Sequence, residues 1–294
     1  MTDFPLFTIV IPTLNQGEFI EQALDSVLSQ QYPHLRLIVR DGGSTDATLA
    51  VLSRYERHLA GWSSAPDRGP WSVVQEVASS AEDGWFNWLN SDDFLLPGSL
   101  SALAELIHAC PEVRWISGAR LDVDRDGRPL RSICPWLQSP AGLAFGMPFL
   151  PQDATFFRLD LFQQAACLVP ANLGCIFDTI LHRVAWKIEP PLLTTCVFSA
   201  MRWHGQQLTS SSPWRNSEYE RLDVIASQEK LSPVQRLLKR LSCTRFNPEI
   251  SALLNAMISR GCFGTSDIKA CAYWPWHLEL KYCSVAEAYA HYRL

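Results

Sequence analysis

Apolar positions in the first half of the chain switch between two periods, and the switch predicts alternating strands and helices. Phe7 to Ile11 is a β-branched apolar run stopped by Pro12, which marks a first strand. Phe19, Ile20, Ala23, Leu24, Val27 and Leu28 then recur at helical spacing, with Asn15 and Glu18 placed as a capping box. Leu35 to Val39 predicts a second strand ending at Asp41-Gly42-Gly43, Ala47 to Tyr55 a helix, and Trp62 to Ala65 a short strand. Trp71 to Ser80 reads as a helix and Trp85 to Leu89 as a buried strand. Pro97 to His108 follows as a helix and Arg114 to Leu121 as a strand, with Leu130 to Ile133 folding back as a hairpin partner. Ser139 to Pro151 is a loop rich in Pro and Gly, Ala154 to Phe157 resumes as a strand, and a helix begins near Asp178. Such alternation implies right-handed crossovers and a mainly parallel central sheet flanked by helices, with ligands outside the carboxyl ends of its strands.

Beyond Ser211 the pattern turns helical without strand signals: Trp214 to Gln228, Pro233 to Leu241, Pro248 to Ile258 and a last helix after Ser284. The expected organisation is therefore an α/β domain over 1–211 and a C-terminal helical region over 212–294. Within that region Arg236, Lys239, Arg240 and Arg245 accompany Val234, Leu237, Leu238 and Leu241. This basic amphipathic stretch, 233–245, is either a solvated face or a peripheral contact with an anionic membrane.

Composition narrows the ligand. Hydrophobic residues make up 47% of the 294-residue chain and charged residues 19%, which excludes a disordered polyelectrolyte. A formal charge of -5 offers no general field for nucleic acid, so a phosphate-bearing ligand needs a cation or local arginines. Nine cysteines, scattered and without a Cys-x-x-Cys pair, indicate neither a disulfide framework nor a zinc knuckle. The N-terminus lacks a basic leader and no apolar run is long enough to cross a bilayer, so a cytoplasmic location, or one at the inner face of the membrane, is expected.

The chemistry concentrates at strand ends. Asn90-Ser91-Asp92-Asp93 follows directly on the Trp85 to Leu89 run. Adjacent acids there repel each other unless a divalent cation, with the phosphates it carries, sits against them; the competing reading is a solvated turn. Asp41 ends the second strand, and it either contacts a ligand or caps the Gly42-Gly43 turn. Asp46 reads as an acid at the start of the following helix.

In order and spacing, Phe7-Thr8-Ile9-Val10-Ile11-Pro12-Thr13-Leu14-Asn15, Asp41-Gly42-Gly43-Ser44-Thr45-Asp46, Asp67-Arg68-Gly69 and Asn90-Ser91-Asp92-Asp93 together resemble the family 2 glycosyltransferases. The resemblance implies the GT-A nucleotide-diphospho-sugar transferase fold. It also implies inverting transfer from a UDP-, GDP- or dTDP-type sugar to a glycan or lipid-linked acceptor hydroxyl, in polysaccharide, O-antigen or glycolipid synthesis. On this likeness Pro12, Thr13, Asn15, Asp41, Asp67, Arg68 and Asp92 would hold the nucleotide, while Asp93, with Asp92 and His204, would hold Mg²⁺ or Mn²⁺. Gln152 would line the sugar side, Arg202 would screen phosphate, and Trp71 is a candidate platform for a sugar ring.

Asp178 matches the position of the base that deprotonates the acceptor, with a helix N-cap as the structural reading of the same residue and Asp153 as the alternative base. His182 and Trp186, one and two turns on, read as helix-face packing. The chain departs from the family at Ser72 and Gln75, where an acid and an asparagine are usual. That departure keeps a second class open, a non-catalytic nucleotide-sugar or glycan binding protein of the same fold.

Overall fold

The structure, a computed structural model, describes residues 4–135, 150–171, 173–205 and 207, together with the backbone of two short strands at 270–273 and 280–283. β1 (Phe7–Thr13) is buried along its whole length because it runs through the middle of the sheet. β2 (Leu35–Asp41) pairs with it in parallel on one side, and β3 (Gly61–Ser64) extends that edge, again in parallel. Three crossover helices, α1 (Ile20–Leu28), α2 (Thr48–Tyr55) and α3 (Pro70–Ser80), join this half of the sheet and bring the chain to β4 (Trp85–Trp88), on the other side of β1. In α1 the spacing of Ile20, Ala23, Leu24 and Val27 puts all four into the core, as their periodicity predicts.

After β4 come β5 (Phe94–Leu95), α4 (Ser99–Ala109) and the hairpin of β6 (Trp115–Val123) with β7 (Pro129–Ile133). β8 (Thr155–Arg158), α5 (Leu159–Ala166), α6 (Phe177–Ile188) and the long β9 (Leu192–Arg202) complete the continuous part. The sheet order is β11-β10-β9-β6-β8-β4-β1-β2-β3, where β10 is Ala270–Tyr273 and β11 is Leu280–Cys283.

The central sheet is mainly parallel, as expected, through the β1–β2, β2–β3, β1–β4, β6–β9 and β9–β10 pairs, while β8 enters antiparallel between β4 and β6. Beyond Ser211 the described residues are two strands that the sequence did not announce: β10 pairs with β9 in parallel and β11 returns antiparallel on β10. The helices expected at 214–228, 233–241, 248–258 and after 284 lie outside the described residues, as do the 233–245 stretch and most of the 139–151 loop.

Both faces of the sheet are packed. Successive residues of a strand point to opposite faces, so Val10, Trp88 and Phe157 join Trp71, Trp115, Phe162 and Phe177 on one side. Phe7, Ile9, Ile11, Trp85 and Phe156 join Ile20, Leu24, Leu103 and Phe198 on the other. Coverage on both faces leaves the carboxyl ends of β1, β2 and β4 as the place where polar groups gather. Among the described residues no helix is long and apolar enough to cross a membrane.

Candidate active site

The loops after β1 and β2 are zipped together by short polar side chains. Asn15 adopts a left-handed backbone (φ 53°), which asparagine tolerates. Its N–H donates to Ser44 Oγ at 2.7 Å and its Oδ1 accepts the Thr45 N–H at 2.9 Å. Asn15 is therefore a bridge between loops and not a helix cap: α1 starts after Phe19 without a side-chain cap, and Glu18 pairs with Arg125 at 2.6 Å instead. Asp46 accepts the backbone N–H of Thr48 and of Gly17, each at 2.9 Å, which fastens the start of α2 to the same loop.

Asp41 is buried at the end of β2. Its carboxylate accepts the N–H groups of Gly43 and Ser44 and the hydroxyls of Ser44 and Ser64, so it builds the Gly42-Gly43 turn from inside. Asp67 and Arg68 are exposed. Asp67 accepts the Gly69 N–H at 2.7 Å, and its other oxygen lies where a Cβ on Gly42 would come within 3.0 Å. Beside Pro12 and Thr13, the Gly42 backbone thus forms a floor with a carboxylate at its edge.

At the end of β4 the two adjacent acids occupy different environments. Asp93 is only 3% exposed, and its two oxygens accept the Arg202 N–H at 2.9 Å and the Asn90 side-chain amide at 3.1 Å. Burial, with the charges of Asp92 and Asp153 added, pushes its pKa well above the usual carboxylate range. Asp92 sits at the rim with 15% of its side chain exposed, and its Oδ2 meets His204 Nε2 at 2.9 Å. The His204 ring packs on Phe19 at 4.7 Å between centroids, and among the described residues its buried Nδ1 has no hydrogen-bond partner.

Arg202, expected to screen phosphate, is engaged within the protein. It is 2% exposed, and its guanidinium donates to the backbone carbonyls of Asp92 and Arg125 and to the Gln22 side chain. Those bonds engage Nε and both terminal nitrogens, while Phe19 and Phe94 cover its plane. This arginine clamps the end of β9 to the Asp92 loop. Trp71 is likewise no open platform: it is 1% exposed and stacks on Phe177 at 5.1 Å within the core. Gln152 is buried, donating to Trp88 O and receiving the Asn90 amide at 3.3 Å.

Asp153 is held at both oxygens, by Arg120 at 3.2 Å and by the Ser199 hydroxyl at 2.5 Å. Asp178 differs. It is half-buried in the first turn of α6, two residues past the cap position at Ile176, so the N-cap reading does not hold. Burial raises its carboxyl to about 6, against the opposing pull of the Thr179 N–H and hydroxyl and of the Arg120 charge. His182 packs against Phe157 and Trp115, and burial holds its pKa down to about 3, in keeping with a packing role. Ser72 and Gln75 bond to the carbonyls of Gly69 and Ala166. Sequence reasoning passed over Arg120 and Ser199. A charge in the middle of an apolar strand was the available signal for Arg120.

Asp92 and His204 suit a divalent cation. Two donor atoms 2.9 Å apart match the edge of an octahedron whose bonds are about 2.1 Å. Among the described residues no group of three or more His, Cys, Asp or Glu surrounds one point, so these two are the donors that the described residues could offer there.

Residues 8–165 match the family described as Glycosyl transferase family 2. A PGL/p-HBAD biosynthesis glycosyltransferase of Mycobacterium bovis is 32% identical over 94 residues, which cover 31% of this chain and 37% of that protein. A Rickettsia bellii protein named as an uncharacterized glycosyltransferase is 28% identical over 179 residues, 55% of this chain but 26% of its own length. The matches thus span about a quarter to a third of these curated relatives. In structure, S. aureus TarS 1-349 in complex with UDP-GlcNAc superimposes with a TM-score of 0.61 at 16% identity, covering 89% of this chain and 75% of that one. The mannosyltransferase PcManGT from Pyrobaculum calidifontis, in complex with GDP-Man and Mn²⁺, gives 0.58 at 18% identity, over 89% and 76%. The shared fold is of the GT-A type, and with more than half of its length matched, the chain belongs to the family 2 glycosyltransferases.

Proposed function

We propose that this chain transfers a sugar, with inversion and with the help of a divalent cation, from a nucleotide-diphosphate sugar to an acceptor hydroxyl. The observation that carries the reading is the pairing of Asp92 with His204 at the end of β4, in a loop whose buried acids adjoin Arg120 and, through its charge, Asp178. The Pro12–Asn15 turn, the Gly42 floor and the exposed Asp67-Arg68 pair would hold the nucleotide, while buried Asp41 shapes that surface from below. Asp92 and His204 would hold Mg²⁺ or Mn²⁺, with Asp93 behind them as a buried support. The cation supplies neutralisation of the charge that develops on the departing diphosphate.

Asp178 then takes the proton from the acceptor hydroxyl. The acceptor oxygen bonds to the anomeric carbon from the face opposite the breaking C–O bond, and the diphosphate leaves with that electron pair. A carboxyl raised to about 6 is ionised at neutral pH, yet more basic than an ordinary aspartate. The engagement of both Asp153 oxygens favours Asp178 over Asp153 for this step.

Related structures in complex with UDP-GlcNAc and GDP-Man support a nucleotide-sugar donor, proposed to be of the UDP, GDP or dTDP type. The acceptor is proposed to be a glycan or a lipid-linked saccharide of polysaccharide, O-antigen or glycolipid assembly, met at the cytoplasmic face of a membrane that 233–245 touches. Flotation with anionic liposomes tests that contact, and absence of salt-sensitive binding would remove it. For the reaction, the protein is incubated with UDP-, GDP- and dTDP-sugars, an acceptor panel and Mn²⁺. Chelator-sensitive release of the nucleoside diphosphate and an inverted anomeric configuration by proton NMR are expected. A retained configuration would overturn the mechanism, and binding without release from any donor would leave a binding protein in its place.

A further inference from the structure

Arg120 lies in β6, directly beside Ser199 of the parallel strand β9 in register. Its side chain is 11% exposed, and its Nε and Nη1 reach Asp122 at 3.1 Å and Asp153 at 3.2 Å. Asp122 is itself fully buried, and Arg131 of β7 takes its second oxygen at 2.7 Å. Asp153 has its second oxygen on Ser199. Two strands therefore grip one carboxylate from neighbouring positions, three residues before Arg202 of β9 grips Asp93 through its backbone N–H. From the other direction Gln152, next to Asp153, receives the Asn90 amide, which also donates to Asp93. Arg120 is thus tied by hydrogen bonds to the same loop that carries Asp92.

We infer that Arg120 is a positioning residue for the transfer proposed above: its guanidinium locks Asp153 between β6 and β9 and keeps one fixed positive charge among the acids that surround the reacting groups. The inference rests on that proposed transfer. Of the two buried carboxylates that Arg120 binds, Asp122 is also balanced by Arg131 from outside, so the charge of Arg120 is turned chiefly to Asp153. What Arg120 adds is a buried cation that bonds Asp153 and whose charge Asp93 and Asp178 feel.

Asp178 meets few other charges. His182, Arg183 and Lys187 follow it on α6, with His182 held uncharged by burial, and Asp160 of the neighbouring α5 is engaged with Arg158 and Arg114. Removing Arg120 leaves Asp178 without the one opposing charge that its ionisation feels from β6.

Arg120→Lys and Arg120→Met test the inference in the full chain. Lysine keeps the charge and loses the fork, so the expected result is kcat lowered about 10- to 100-fold, donor KM within about threefold, and an unmoved acid limb. Methionine loses both, and the acid limb together with the Asp178 carboxyl titration, followed by carboxyl-carbon NMR, should move up by about one pH unit. If the NMR titration moves while the kinetic limb stays, the inference about Arg120 stands and the assignment of Asp178 as base falls. Variants that lose only melting temperature, with wild-type kcat per folded molecule and an unmoved titration, overturn the inference. Should Arg120→Met fail to fold, the kcat of Arg120→Lys decides alone: wild-type turnover in it rejects a positioning role.

Discussion

His204 Nε2 and Asp92 Oδ2 lie 2.9 Å apart although 112 residues separate them, which makes the end of β9 part of the acidic loop after β4. If the two hold a cation, removing either should show in metal binding before it shows in folding. Asp92→Asn is expected to lower transfer by about 10²- to 10³-fold and His204→Ala by about 10- to 100-fold. Both should weaken Mn²⁺ binding by electron paramagnetic resonance titration, with the melting temperature unchanged in Asp92→Asn and lowered in His204→Ala, which also removes a buried ring from Phe19. Wild-type Mn²⁺ affinity in both variants would remove the cation from this pair.

The carboxyl of Asp178 predicts the acid side of the pH profile. Its pKa is raised to about 6 chiefly by burial, so the base form is lost below that value and kcat/KM should fall about tenfold per pH unit. The stability sign runs the other way. A carboxyl whose folded pKa is raised binds a proton more tightly in the folded state, so its contribution is full at low pH and is lost as pH rises through about 6. Asp178→Asn should therefore melt higher than the parent at neutral pH, with the difference vanishing below about pH 4. Its transfer rate should be abolished while donor binding by calorimetry is kept; full transfer activity in this variant would send the search for the base elsewhere.

Those two residues also show what local pattern reveals and what it hides. The strand that carries Asp41 and the one that precedes Asp92 are legible because short apolar runs and terminal acids are properties of a few neighbouring residues. Direction of pairing is not local, so nothing in Thr155–Arg158 announces that β8 runs antiparallel between β4 and β6. β9 escaped because Thr194 and Ser199 interrupt its apolar run, although both are fully buried and Ser199 is satisfied by Asp153. Residue type alone makes Arg202 a cation for phosphate and Trp71 a ring for sugar. Each is placed instead by partners far along the chain: Asp92, Arg125 and Gln22 for the arginine, Phe177 for the tryptophan.

Arg202 gives a prediction that separates a clamp from a phosphate ligand. Loss of its buried guanidinium leaves the carbonyls of Asp92 and Arg125 and the Gln22 side chain without their donor. Arg202→Met is expected to cost about 2–4 kcal/mol in urea denaturation. A residue that only met phosphate would leave stability intact and raise donor KM, and that outcome would reject the clamp.

Gly118 in β6 tests how tightly β9 must approach for the site to form. A Cβ there would fall 2.4 Å from Phe198 Cδ2 and 2.6 Å from the Cys196 carbonyl, distances that force one strand to move. The β6–β9 register shifts on both sides of Ala119, so this is where the two strands adjust to each other. Phe198 also accepts, through its carbonyl, the Leu96 N–H and the Ser99 hydroxyl, which seat the chain just after the Asp92-Asp93 loop. Displacing Phe198 therefore reaches Ser199 and Arg202 along β9 and the acids they hold. Gly118→Ala should cost about 1–3 kcal/mol of stability, and it should lower kcat beyond the loss of folded protein. Because the clash is mostly with the ring, Phe198→Leu added to Gly118→Ala should recover part of both losses, a coupling that a double-mutant cycle measures. Strictly additive losses in that cycle would show that the ring is not what Gly118 makes room for.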